Sequence, residues 1–168
     1  MSIAESLLPE FDQEMAATRR LLERTPETQA AWKPHAKSTP LGQLAVHIAM
    51  LPGWTIMTLQ QTELDLNPPG GPGFTMPAFQ STAALLALFD EGVKGARAAI
   101  AATSDRDFMV FWTLKNSGAT VLTLPRVAVV RSFVLNHLIH HRGQYDVYLR
   151  LRDVPLPQLY GPTADEPM

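Results

Sequence analysis

The sequence predicts an all-α protein, a four-helix bundle with one short β-hairpin before the last helix. Three observations lead there. Four segments repeat apolar residues at helical spacing. Proline and glycine punctuate the chain between them, at Thr25-Pro26, along Asn67 to Gly73 and at Pro125. Helices with one apolar face each must bury those faces on one another. The length of 168 residues fits one domain, 1–168. A chain of this size buries roughly 70% of its unfolded surface and needs no covalent staples.

The first helix is expected over residues 2–24. Leu8, Phe11, Met15, Thr18 and Leu22 form its apolar line, with Asp12, Glu14, Arg19, Arg20 and Glu23 largely off it. Ser2 and Glu5 fit a capping box, in which each side chain reaches the other residue's backbone N–H. Residues 26–38 read as a connector containing Trp32-Lys33-Pro34-His35. Thr39 as cap and Pro40 in the first turn open a second helix to about Gln61. Its inward line is Leu44, His47, Leu51, Trp54 and Thr58, and Pro52 predicts a kink or break.

Residues 64–80 hold Asn67-Pro68-Pro69-Gly70-Gly71-Pro72-Gly73 and predict a long loop without regular structure. The loop lacks the Gly-Lys-Ser/Thr ending that sets a lysine on phosphates. Ser81 caps a third helix over 82–102, with Leu85, Phe89, Val93, Ala96 and Ile100 inward. Gly92 and Gly95 weaken that helix and permit close packing. Residues 108–114 and 119–124 are rich in β-branched and aromatic types around the turn Lys115-Asn116-Ser117-Gly118, which gives the hairpin. Pro125 opens a last helix over 126–152, with Val130, Val134, His137, His141, Gln144 or Tyr145, and Tyr148 along one stripe. The tail from Val154 to Pro162 has too many prolines for a helix and is expected to cross the bundle as an extended strap.

Composition excludes several function classes. The chain has no cysteine, so a disulfide framework, a thiolate zinc site, an iron–sulfur cluster and a cysteine nucleophile are all ruled out. Fourteen Lys and Arg against sixteen Asp and Glu give a net charge of -2, which argues against nucleic-acid binding. Arg126, Arg131, Arg142, Arg150 and Arg152 make the last helix basic, and a solvated face with helix-dipole complementation accounts for them. Residues Ser38 to Thr62 lack charged side chains over a bilayer-length stretch. Gln43, His47, Gln60, Gln61 and Pro52-Gly53 make a buried helix the better reading, with no membrane partner. The N-terminus has no basic region followed by an apolar core, so a cytoplasmic location is expected.

The histidines carry the chemistry. His137 and His141 are four apart and share a helical face, so both can point at one ion. His140 lies about a hundred degrees around the helix from His141 and falls off the apolar stripe. His47 occupies the core line of the second helix. Core lines are normally apolar, so three inward histidines need partners, and a shared metal satisfies them together. The alternative is a set of hydrogen-bonded core histidines. The segment is not a zincin motif, because Leu138 stands where the catalytic glutamate would follow the first histidine.

At these residues the chain resembles the DinB/YfiT-like superfamily of metal-dependent proteins. The match is carried by Trp32-Lys33-Pro34-His35, by Leu41-Gly42-Gln43-Leu44-Ala45-Val46-His47-Ile48-Ala49 and by Asn136-His137-Leu138-Ile139-His140-His141-Arg142-Gly143-Gln144. Tyr148-Leu149-Arg150 and the segment from Leu159 to Glu166 resemble the ending of one branch. The resemblance implies an up-down-down-up four-helix bundle, often a homodimer. It implies a divalent transition metal, usually nickel or zinc, on His47, His137 and His141. It also implies thiol-dependent S-transfer as one activity of relatives, with a low-molecular-weight thiol as cofactor and a small-molecule substrate.

Three neutral histidines leave open positions on an ion, the pattern of catalytic sites. A thiol or water there becomes a nucleophile near neutral pH, which gives a transferase or a hydrolase reading. No acid or base accompanies the histidines in the motifs, which favours the competing reading of a non-catalytic metal- or small-ligand-binding dimeric stress protein. Gln144, Tyr145 and Trp54 are candidate pocket residues, with packing as the alternative for each.

Overall fold

The computed structural model describes residues 1–167. Its elements in chain order are α1 (Ile3–Leu22), α2 (Leu41–Gln60), β1 (Glu63–Asp65), α3 (Thr82–Ala102), α4 (Asp105–Phe108), β2 (Phe111–Asn116), β3 (Ala119–Pro125), α5 (Arg126–Val129), a π-helical segment (Val130–Asn136) and α6 (His137–Arg150). The long helices close a ring of contacts: α3 lies against α1 and α2, and α6 lies against both of these as well. One core fills the ring, with Phe11, Leu21, Leu22, Leu41, Ile48, Leu51, Phe89, Ile100, Leu138 and Tyr145 buried in it. No helix is long and apolar enough to cross a membrane among the described residues.

The helix starts follow local chemistry. Ser2 and Glu5 form the expected capping box of α1. Ser81 caps α3, its hydroxyl accepting from Ala84 N at 3.1 Å. The expected cap of α2 is corrected: Pro40, not Thr39, takes the N-cap position, and no side chain caps the helix. The connector does that work instead. Its carbonyls at Trp32 and Ala30 accept from Leu41 N and Gly42 N, both at 2.9 Å, so the first free donors of α2 are satisfied by backbone.

Pro52 does not break α2, which runs as one helix from Leu41 to Gln60. Proline forfeits one helical hydrogen bond, but α2 is buried around much of its circumference and its neighbours hold it. The small residues set a close approach there. A Cβ on Gly92 of α3 would lie 3.3 Å from Gly53 N of α2, and one on Gly95 would lie 2.5 Å from Ile56 Cδ1.

The hairpin forms, with its first strand corrected: Asp105–Phe108 make the short helix α4, and β2 starts at Phe111 and runs through Asn116, pairing antiparallel with β3 through Phe111↔Pro125, Trp112↔Leu124 and Thr113↔Thr123. The left-handed Ser117 and Gly118 make its turn. The loop expectation needs one correction: residues 63–65 pair in parallel with β2 as a third strand. Lys115 Nζ holds Glu63 at 2.7 Å across that pairing. Trp112 and Leu114 turn inward onto Val129, which docks the sheet on the start of the last helical run.

That run is also corrected. It is not one regular helix over 126–152, but α5, a π segment and α6 in succession. Neither glycine nor proline marks the change. Ser132 Oγ donates back to Ala128 O at 2.6 Å, an i−4 bond that bends helices.

The arginine expectation is corrected too. Arg142 is only 2% exposed and Glu14 of α1, placed off the apolar line by sequence, is only 6% exposed. They form an ion pair at 2.6 Å. Arg126 is also buried, its guanidinium donating to Gln61 O at 2.7 Å. The tail does run across the helices as expected, its Tyr160 reaching both α1 and α6. Leu156 is buried, and Tyr160 donates to Glu14 Oε2 at 2.7 Å.

Candidate metal centre

His47 projects from the second turn of α2, His137 is the first residue of α6, and His141 follows one turn later. Both helices are anchored beside these positions. Leu44, Ile48 and Leu51 of α2 and Leu138 and Tyr145 of α6 are fully or almost fully buried. The three histidines sit at the edge of that packing and are half-buried. Their ring nitrogens converge. His47 Nε2 lies 3.3 Å from His137 Nε2, and His141 Nε2 lies 2.8 Å from His137 Nε2. Donor atoms of all three fall within 4.8 Å of one another.

The spacing fits a first-row divalent ion. Nitrogens about 2.05 Å from an ion stand about 3.3 Å apart at a tetrahedral angle and about 2.9 Å apart at a right angle. The hydrogen bonding fits as well. His137 Nδ1 lies 3.3 Å from Phe133 O, and His141 Nδ1 lies 2.8 Å from Gln144 Oε1. Each of those oxygens is an acceptor, so each Nδ1 carries the proton and donates. Both Nε2 lone pairs then face each other and His47. Without a cation such an arrangement repels. With one, it is the orientation in which acceptors outside the site fix the tautomer of a ligand.

Electrostatics points the same way. Burial, followed by the positive charge His141 and His137 would carry, lowers the pKa of His47 to about 4. His137 is lowered first by burial and then by His141, with the Phe133 carbonyl opposing. His141 is lowered by burial, against the Gln144 hydrogen bond. All three are therefore neutral at neutral pH, the state in which imidazole ligates metals.

A cavity of about 320 Å3 opens beside the cluster, lined by Ser132, Phe133, Asn136, His137 and His140. The π segment supplies most of its wall. Wide helical turns of this kind are frequent at functional sites, and here one carries Phe133 to both the cavity and the ring of His137.

The three residues expected as ligands are the three that the fold brings together. The other candidates separate. Gln144 contacts His141. Tyr145 is in the core, its hydroxyl donating to Thr25 Oγ1 at 2.8 Å. Trp54 packs edge-on against Phe74, ring centres 5.9 Å apart, and does not line the cavity at the histidines. His140 is exposed and lines that cavity without joining the cluster. The Phe133 carbonyl was not legible, because a backbone acceptor leaves no mark on residue type.

Two solved structures share the fold. A DinB-like protein from Bacillus cereus is 18% identical, with 93% of this chain and 97% of that chain covered at a TM-score of 0.71. A DinB-like protein from Bacillus subtilis is 17% identical, with 92% and 96% covered at a TM-score of 0.69. No curated protein matches the chain. The model of the DinB superfamily matches residues 10–145, a span that contains all three converging histidines, and the chain belongs to that superfamily.

Proposed function

We propose that this chain is a metal-dependent enzyme that binds one divalent transition metal, nickel or zinc, through His47, His137 and His141. On this reading it transfers a low-molecular-weight thiol to a small electrophilic substrate. The observation that carries it is the convergence of three neutral Nε2 atoms, two of them with outward-facing Nδ1 donors already engaged. When bound, the ion supplies a full double positive charge and open positions, which acidify a thiol or water.

The chain's own residues do the rest. Gln144 and the Phe133 carbonyl hold the rings of His141 and His137 in place. Ser132, Asn136 and His140 offer polar contacts to a substrate in the adjoining cavity, and Phe133 gives it an apolar wall. Hydrolysis by a water in the thiol's place is the variant of the same reading.

One observation favours a non-catalytic metal- or ligand-binding role: the cavity lining contains no carboxylate. We also place a homodimer contact on the hairpin, where Phe111 and Val121 are 64% and 57% exposed. The ring of long helices is read as an up-down-down-up bundle.

The deciding experiment is elemental analysis of protein purified without a tag or added metal, followed by thiol-with-electrophile assays on the loaded protein. About one equivalent of metal and thiol-dependent turnover support the enzyme. Metal without turnover of any thiol or ester supports the binding role. No metal, even after loading with nickel or zinc, removes both.

A further inference from the structure

A second cavity, of about 330 Å3, lies between α2 and α3. Its lining shares no residue with the cavity at the histidines. Met50, Trp54 and Met57 form its α2 wall, Leu88 and Glu91 its α3 wall, and Phe74 of the long loop leans over it. Gly92 and Gly95 line it on α3; a Cβ at Gly92 would lie 3.3 Å from the Gly53 backbone N, and one at Gly95 would lie 2.5 Å from Ile56 Cδ1.

Two features give the cavity a chemical preference. Trp54 and Phe74 meet at 77°, with ring centres 5.9 Å apart, and form an aromatic corner. Electron-rich ring faces of this kind attract cations, and aromatic cages are the usual receptors for organic ammonium groups. The second feature is Glu91. It is the one charged residue of the lining, and it makes no hydrogen bond or ion pair among the described residues. Its neighbour Asp90 is by contrast held by Arg19 at 2.8 Å. Lys94, one turn further along α3, does not line the cavity.

We propose that this cavity is a binding site for a small monocationic amine with an apolar, aromatic-sized body. The body fills the space between Met50, Met57 and Leu88, and the ammonium sits between the aromatic corner and the Glu91 carboxylate. A cavity of about 150 Å3 holds one benzene ring. Twice that volume accepts a substituted ring with a short aminoalkyl chain. The carboxylate disfavours anions of the same shape.

The test is calorimetric titration with three probes of one shape: phenethylamine, 2-phenylethanol and 3-phenylpropionate. It is run on the parent chain and on a His141→Ala variant, so that coordination of the amine to a metal is separated from binding here. Saturable binding in both backgrounds is expected, with the amine about fivefold tighter than the alcohol and the acid weakest. Glu91→Gln, a change at an exposed position, should cut the amine's advantage over the alcohol to what the aromatic corner alone supplies, and Trp54→Leu should weaken both. Three results would overturn the proposal. One is no saturable binding of any probe. Another is an amine preference that Glu91→Gln leaves undiminished. The third is a Trp54 environment that responds to protein concentration alone, which would assign this face to a second copy of the chain.

Discussion

Gln144 Oε1 lies 2.8 Å from His141 Nδ1, on the same helix and one turn further on. The amide oxygen accepts the proton of Nδ1 and so aims the Nε2 lone pair at the cluster. Gln144→Leu removes that acceptor without touching a ligand. Metal affinity should fall by about 10- to 100-fold, while Gln144→Glu should retain or raise it. A competition titration against a chelator of known affinity reads both. Equal affinity in the parent and the leucine variant would remove the orienting role.

His140 is the control built into the motif. It is exposed and outside the cluster, although its ring centre is 4.9 Å from that of His141. His140→Ala should keep a full equivalent of metal, whereas His47→Ala, His137→Ala and His141→Ala should each lose most of it. Elemental analysis with circular dichroism on all four variants checks this. Loss of metal on His140→Ala alone would mean that the ligand set is wrong.

The metal-free protein should lose stability in mild acid. Burial lowers His47 to about 4 in the folded chain and lowers His137 and His141 too. The unfolded chain titrates at the ordinary value of about 6.5. Between those values the unfolded state binds more protons, so stability rises with pH and falls as pH drops from about 6.5 toward 4. Thermal melts of metal-free protein at pH 7 and pH 5 should therefore differ, and His47→Phe should flatten the difference. A parent protein whose Tm does not move over that range would contradict the burial of these rings.

Elements with a local cause were legible in the sequence. Ser2 with Glu5, Ser81, and the hairpin around Ser117-Gly118 each rest on a few neighbouring residues, and each formed. The three converging histidines were legible because polar residues on an apolar line are conspicuous. What was hidden depends on partners far along the chain. Residues 63–65 become a strand only because β2 offers an edge. Val130 to Asn136 contain no helix breaker, so their π geometry has no local sign. Glu14 and Arg142 read as surface charges because nothing nearby in sequence shows that they meet.

That buried meeting is the last feature open to test, and it locks three distant parts of the chain. Arg142 donates to Thr18 Oγ1 at 3.1 Å and to Glu14 O at 3.2 Å, and its guanidinium pairs with the Glu14 carboxylate at 2.6 Å. Tyr160 of the strap bonds to both charged partners. Removing one member of a buried pair strands the other charge at a cost of about 3–5 kcal/mol. Arg142→Met and Glu14→Leu should therefore each destabilise strongly. The double variant should be clearly more stable than either single one, because a hydrophobic replacement of both charges leaves none unpaired. Tyr160→Phe, which removes a hydroxyl but strands no lone charge, should cost about 1 kcal/mol. Urea unfolding of the four variants reads the coupling directly. Additive losses in the double variant would show that the two side chains do not act as a pair.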